Sequence, residues 1–497
     1  MRERAVPVAL LAMLLGLVGL LAFRPRTPHQ APLVVIQEEG KADSGAATAD
    51  GGLPLATVDA SVVLRPPVAL GSEGGAEGGA AVQARLLDRP LRVATLGWAL
   101  AAPGVMLGPA QDHEGADGGR PPFELELAPV DTLAQIEGRL VRGGADQEGA
   151  DVVVLPLPEL VASYERLRAL EPQAFLLVGF STSSEFLYPR AGASPGRVLP
   201  GDVKVSVSSR DRPESLQWMA LFTLDAFGVS PGRVKFQAAE GDASPFFAGR
   251  FTDKNDGKHL LSTYEADRLI PLVAAAPKGA LDSRGPLYRA WASSWLDGLD
   301  RAYKDASTAG MRLSTRTGAT FSASVQGKTE PGAALDAFGR MGRVDLAENL
   351  RWLAPGPERP APLEALFLRN LEAFRQAGLV VAPAPPSAVQ GAAVAEIGRG
   401  VKPAVEKVAT PRGDPPLLVR REPGPIDDAE LQRLVLVYSA VFDRAPLRVS
   451  LKGGDKASTA FVEATRSKLG LPPEKLLVGK TPMAGASAIL EVLRREP

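Results

Sequence analysis

The stretch "VKVSVSSRDRPESLQWMALFTLDAFGVSPGRVKF" runs from Val203 to Phe236. Its first residues alternate apolar and polar, the pattern of a half-buried strand. The polar turn that follows contains Pro213, which ends the strand and suits the first turn of a helix. "ESLQWMALFTLDAF" then supplies an amphipathic helix, a short turn follows, and "GRVKF" starts another strand. Strand, helix and strand joined by short turns form a βαβ unit and imply a parallel sheet. Ser208, Ser209 and Ser215 flank the turn. They either cap the helix or donate to a ligand at its N-terminus.

The same texture extends in both directions. "LRVATLGW" (91–98), "PFELELAPV" (122–130), "ADVVVLPLP" (150–158) and "QAFLLVGF" (173–180) read as strands. "DTLAQIEGRLVRGG" (131–144) reads as a helix with Asp131 as N-cap and Gly143 as its stop. "HLLSTYEADRLIPLVAAAP" (259–277) adds two short strands. Residues 283–380 turn helical, and Leu287, Trp291, Trp295 and Leu299 recur on one face, as core residues do. Residues 381–414 are Pro-rich and read as a linker. Residues 415–497 form a further small α/β unit: a strand (PLLVRRE), a helix (427–442), a strand (446–454), a helix (458–470), a strand (475–482) and a final helix in "AGASAILEVLRRE".

A chain of 497 residues is too long for one domain, and 45% hydrophobic residues suffice for sizeable cores. The net charge of −1 gives no basis for a nucleic-acid partner. Cysteine is absent, which excludes disulfides, thiol catalysis, thiolate metal sites and a lipidated N-terminal cysteine. Ala5–Phe23 is an uncharged run flanked by Arg2, Arg4, Arg24 and Arg26. As a helix it spans roughly 28 Å, the hydrocarbon thickness of a bilayer. No small-x-small cleavage site follows, so residues 1–26 are expected to be a transmembrane signal anchor rather than a cleaved signal. Residues 27–89, with "GKADSGAATADGG" and "GSEGGAEGGAA", have the composition of a flexible tether.

Motifs for catalysis are missing. His29, His113 and His259 lack metal-ligand spacing, and "DKNDG" (253–257) lacks the later ligands of a calcium loop. No nucleophile elbow, Walker loop or dinucleotide fingerprint occurs. Asp427 and Asp428 suit the first turn of a helix. No metal, cofactor or catalytic residue is therefore assigned, and binding is favoured over catalysis. Ligands in open α/β sheets sit beyond the carboxyl ends of strands. Three such ends are Thr95–Trp98, Leu155–Pro158 and Ser208–Ser215, and "FSTSS" (Phe180–Ser184) adds a hydroxyl cluster at a crossover.

The order "LRVATLGWALAAPGVML", "ADVVVLPLPELV", "VKVSVSSRDRPESLQWMALFTLDAFGVSPGRVKFQAA", "LLSTYEADRLI", "YRAWASSWLDGLDRA" and "VDLAENLRWL" resembles the periplasmic solute-binding proteins of ABC transporters, of the taurine, sulfonate, nitrate and thiamine-precursor type. The resemblance covers residues 90–380. It implies a two-lobed type II α/β fold that closes around a small ligand, export of the body to the periplasm, and an ABC transporter permease as partner. Carried onto this chain, it gives Gly97, Trp98, Ser181, Thr182, Ser183, Ser208, Ser209 and Ser215 as ligand-binding candidates. "DKNDGKH" departs from the family pattern. Asp211 and Glu214 at the helix start disfavour a bare anion there.

The C-terminal unit resembles the OmpA-like peptidoglycan-binding domain through "LRVSLKGGDK" and "EATRSKLGLPPEKLLVGKTP". That resemblance implies peptidoglycan as a partner with Asp455 as the binding aspartate, while Thr459 stands where the family has an arginine. The expectation is thus a solute-binding protein anchored in the inner membrane. The alternative is an envelope structural protein with a degenerate cleft and a peptidoglycan-associated C-terminal domain.

Overall fold

The computed structural model describes residues 86–97, 99–107, 122–182, 184–190, 193, 201–208, 213–238, 244–250, 259–313, 340–356, 359–405, 408–412, 415–480 and 485–495. All of them fall within one compact unit, Ala80–Pro497. The Ala5–Phe23 run lies outside them, and no described helix is long and apolar enough to cross a membrane.

The chain enters a first lobe with β1 (Leu91–Leu96), a short helix α1 (Ala102–Val105), β2 (Leu125–Val130), α2 (Leu133–Arg142), β3 (Val152–Pro156), α3 (Leu157–Leu167) and β4 (Pro172–Ser181). It crosses to a second lobe of β5 (Glu185–Pro189), β6 (Val203–Val207), α4 (Pro213–Ala226), β7 (Val234–Ala238), β8 (Phe246–Arg250) and β9 (Leu261–Ser262). It then returns with β10 (Pro271–Pro277), α5 (Gly285–Lys304), β11 (Met341–Gly342), α6 (Leu346–Leu353), α7 (Pro362–Gln376) and α8 (Ala392–Ile397).

The first sheet has the order β11-β4-β10-β3-β1-β2 and the second β7-β6-β8-β5-β9. In each, three parallel strands are followed by one antiparallel strand that arrives from the other lobe, β10 in the first and β5 in the second. The central strands are covered on both faces, which is why β3 and β10 read as unbroken apolar runs. The α/β architecture and the two lobes expected from the sequence are present.

Local chemistry sets the element ends. Thr132, not Asp131, caps α2, because Thr132 and Gln135 make a reciprocal capping box. Gly143 ends that helix at φ 71°. Leu287, Trp291, Trp295 and Leu299 are all buried, and the two indoles stack at 4.7 Å. The helix of the opening stretch, α4, is not amphipathic in place. From Glu214 to Ala226 no residue is exposed. The second sheet, α3, α7 and the C-terminal unit surround it.

The C-terminal unit comprises β12 (Leu418–Glu422), α9 (Asp428–Val441), β13 (Leu447–Leu451), α10 (Gly454–Leu469), β14 (Leu476–Val478) and β15 (Ala488–Val492), in the sheet order β12-β15-β13-β14. The expected final helix is instead β15, an antiparallel strand between β12 and β13. "AILEV" is too short for periodicity to separate helix from strand, and two waiting strand edges decide it. Residues 381–405 and 408–412 follow the body. Gln390 N–H donates to Ala174 O at 2.9 Å, and α8 packs on α5 and α6.

The C-terminal unit docks on the lobes through apolar and ionic contacts. Phe222 of α4 lies 5.2 Å from Tyr438 and 6.1 Å from Phe442. Asp225 accepts from both Arg369 of α7 and Arg420 of β12. A second network joins the crossover before β10 to α6 and the end of α9. Arg268 pairs with Glu348 and, at 2.8 Å, with Asp443, while Arg351 reaches Asp443 at 2.7 Å and Glu348 at 3.0 Å. Lys475 Nζ donates to the carbonyls of Phe442, Asp443 and Ala445. Burial pushes its ammonium down to about 7; Asp443 and Asp267 oppose this and Arg351 and Arg268 add to it.

Two outcomes are expected. Asp225→Ala leaves two half-buried guanidinium groups without their shared carboxylate and costs about 1–3 kcal/mol in urea unfolding; an unchanged midpoint would place the docking energy in apolar contacts alone. The unfolded chain holds the Lys475 proton to higher pH than the folded chain. Wild-type stability relative to Lys475→Met therefore rises as pH climbs from about 7 toward the ordinary lysine value, and is lowest below that window. Parallel stability–pH curves for the two proteins would contradict it.

Candidate functional site

The candidate residues fall on three structural features. Gly97 follows β1 at φ 85°, a conformation glycine adopts without Cβ strain. Its N–H donates to Val130 O at 2.8 Å, and Thr95 Oγ1 donates to its carbonyl at 3.0 Å. Trp98, Ser183 and Ser209 lie outside the described residues.

Ser181 and Thr182 sit in the crossover from β4 to β5. Ser181 N–H donates to Ile270 O at 2.9 Å, so the outgoing and returning crossovers are bonded side by side. Ser181 Oγ lies 3.0 and 2.8 Å from the two oxygens of Glu185, a carboxylate buried to 4% exposure. Thr263 Oγ1 lies 3.1 Å from Glu185 and accepts from the N–H groups of Ser184 and Glu185. Thr182 bonds Arg340 O through both N–H and hydroxyl, at 2.7 and 3.0 Å. Ser181, Thr182 and Ser184 thus knit the crossover, with Glu185 and Thr263 as members that sequence reading did not single out.

At the opening turn, Ser208 N–H donates to Ala248 O at 3.0 Å and ties the end of β6 to β8. Ser215 does not cap α4. Its hydroxyl lies 2.8 Å from each oxygen of Glu159, and both residues are buried, at 1% and 0% exposure. Glu159 stands in the first turn of α3, at the carboxyl end of β3 in the other lobe. The bond therefore spans the two lobes. Glu214 occupies the first turn of α4, and burial pushes its carboxyl up, opposed by a backbone hydrogen bond and Arg166 and reinforced by Glu137. The first turns of α3 and α4 each carry an acid that complements the helix dipole. The sequence signal for Glu159 was its position just past the strand end Leu155–Pro158.

The remaining candidates lie elsewhere. Asp455 is exposed in the first turn of α10, and Thr459 is half-buried one turn on. His259 pairs with Glu265 at 2.7 Å, a hydrogen bond that holds its imidazole pKa above the ordinary value, and it packs edge-on against Phe186. The 253–257 segment lies outside the described residues.

No protein-family model and no curated protein matches the chain. Among solved structures, the periplasmic aliphatic sulphonate binding protein SsuA from Escherichia coli matches at 10% identity and a TM-score of 0.40, over 66% of this chain and 99% of that one. The periplasmic nitrate-binding protein NrtA from Synechocystis matches at 12% identity and a TM-score of 0.37, over 62% and 85%. The zinc-bound ligand-binding component of an ABC-type import system from Staphylococcus aureus matches at 11% identity and a TM-score of 0.39, over 62% and 99%.

Ser215→Ala removes the described hydroxyl that meets the buried Glu159 carboxylate across the lobes. It is expected to destabilise the chain by about 1–3 kcal/mol in urea unfolding, and Glu159→Gln in that background to recover part of the loss. If Ser215→Ala is neutral, the bond does not hold the lobes together.

Proposed function

We propose that the chain is an extracytoplasmic solute-binding protein that takes a small polar ligand between its two lobes and presents it to an ABC transporter permease. The N-terminal run serves as its inner-membrane anchor. The observation that supports this most is the paired crossover, where each lobe lends one strand to the other and Ser181 bonds Ile270 between the two connections. Such a pair of adjacent strands can act as a hinge while each sheet stays intact. Binding is by lobe closure, with no chemical step and no cofactor. Gly97, Trp98, Ser181, Thr182, Ser183, Ser208, Ser209 and Ser215 remain the proposed ligand contacts. The acids at the two helix starts make a neutral or zwitterionic ligand a better fit than nitrate or a simple sulfonate. A ligand that reaches Ser215 competes with Glu159 for its hydroxyl.

A second reading has its own support. The C-terminal unit bonds to α4 of the second lobe, to α6 and α7, and to the crossover at Arg268. A clamp of this kind resists hinge opening. It favours an envelope structural protein whose OmpA-like C-terminal domain associates with peptidoglycan, Asp455 being the contact.

A thermal-shift screen of the full chain against amino acids, pyrimidines, sulfonates and nitrate separates the readings. The first expects a neutral or zwitterionic compound to raise the melting temperature by several degrees, with the gain reduced in Ser215→Ala. Purified murein that co-sediments with the chain, dependent on Asp455, while no small compound shifts the melting temperature, would establish the second and end the first.

A further inference from the structure

Away from the lobe cleft, a cavity of ≈ 360 Å³ lies where the C-terminal unit meets the body. The end of α6, the approach to α7, the coil around 402–408, α9 and the loop 469–475 enclose it. We propose that this cavity is a binding site for a small organic anion with an apolar body, of the aryl- or alkyl-carboxylate kind.

The size fits a ligand site rather than a packing defect. At protein packing density it holds about twenty heavy atoms. Its walls are apolar: Trp352, Leu436, Leu469, Leu471, Pro403 and Pro472 face it. Proline walls are stiff, so little conformational freedom is lost when a ligand settles against them. The Trp352 indole N–H is already donated to Glu348 at 2.7 Å, which leaves its ring as an apolar surface.

The charges are unequal. Arg351, Arg359, Lys402 and Lys475 line the cavity with Asp443 as the single acid. Arg351 is held between Asp443 and Glu348, and Lys475 by three backbone carbonyls, so these floor cations are occupied within the chain. Arg359 and Lys402 at the rim are exposed, and no described carboxylate pairs with either. Arg359 is also seated. A Cβ on Gly470 would come within 2.4 Å of its guanidinium carbon, and Gly470 itself adopts φ 66° as the C-cap of α10. The guanidinium from the body is thus laid across a glycine of the C-terminal unit, beside the cavity mouth. An apolar chamber with two rim cations that meet no described carboxylate selects a carboxylate head over a neutral or cationic one.

Calorimetric titration of the full chain with three ligands of one shape tests this: naphthoate, naphthamide and naphthylmethylammonium. Naphthoate is expected to bind, naphthamide about tenfold more weakly, and the ammonium not at all. The double variant Arg359→Glu with Lys402→Glu alters only exposed side chains and should keep the wild-type melting temperature. It should reverse the preference, so that naphthylmethylammonium binds and naphthoate does not. Ser215→Ala should leave naphthoate binding unchanged, which separates this cavity from the cleft. Equal binding of naphthoate and naphthamide, no binding of any ligand, an unchanged preference in the double variant, or loss of naphthoate binding in Ser215→Ala would each overturn the assignment.

Discussion

Helix α4 has no face for water, and the rest of the molecule is arranged to cover it. Trp218, Met219, Leu221, Phe222 and Leu224 are each at most 3% exposed. Burying side chains of this size contributes about 1.5–3 kcal/mol apiece, against about 1 kcal/mol for a typical hydrogen bond. Apolar burial therefore decides where α4 sits. Its own sheet covers one side, α3 and α7 cover others, and the side bearing Phe222 needs Tyr438 and Phe442. Without the C-terminal unit that side would be an exposed aromatic patch. One continuous hydrophobic core accordingly runs from β1 through both lobes to β15.

The ionic contacts at the same junction do a different job. Buried ion pairs gain little net stability, because desolvation offsets the Coulomb attraction. Their effect is on register. Asp225 accepts from two guanidinium groups on two different elements, and Asp443 is ion-paired with two more. Each pairing is satisfied in one docked arrangement, and a shifted arrangement would strand a buried charge. Apolar area brings the C-terminal unit down onto the lobes, and the charges fix where it lands.

The space between the lobes and the junction with the C-terminal unit differ in their electrostatics. Between the lobes, hydroxyls face buried acids: Ser215 meets Glu159, and Ser181 and Thr263 meet Glu185. At the junction cavity, cations outnumber acids along apolar walls. Neither charge environment is visible in a net charge of −1.

Much of the architecture was legible in the sequence. The alternating and unbroken apolar runs gave the parallel strands, Gly143 marked a helix end, and the spacing of Leu287, Trp291, Trp295 and Leu299 identified a core face. These are local properties, set by backbone geometry and side-chain period. Three matters were not local. "AILEV" became a strand because two strand edges separated from it in the chain needed a partner. Helix α4 read as amphipathic because its few polar residues were counted as a water-facing side, whereas Ser215 and Asp225 are bonded to Glu159 of the other lobe and to Arg369 and Arg420. Ser215 itself looked like a cap or a ligand donor, because a serine beside a helix start has both uses. By itself the sequence determined which segments could pair and bury. Only the tertiary structure decided what each polar group meets, because the carboxylate opposite Ser215 lies in another lobe and the guanidinium opposite Asp225 lies in another unit, brought there by apolar packing that no local pattern records.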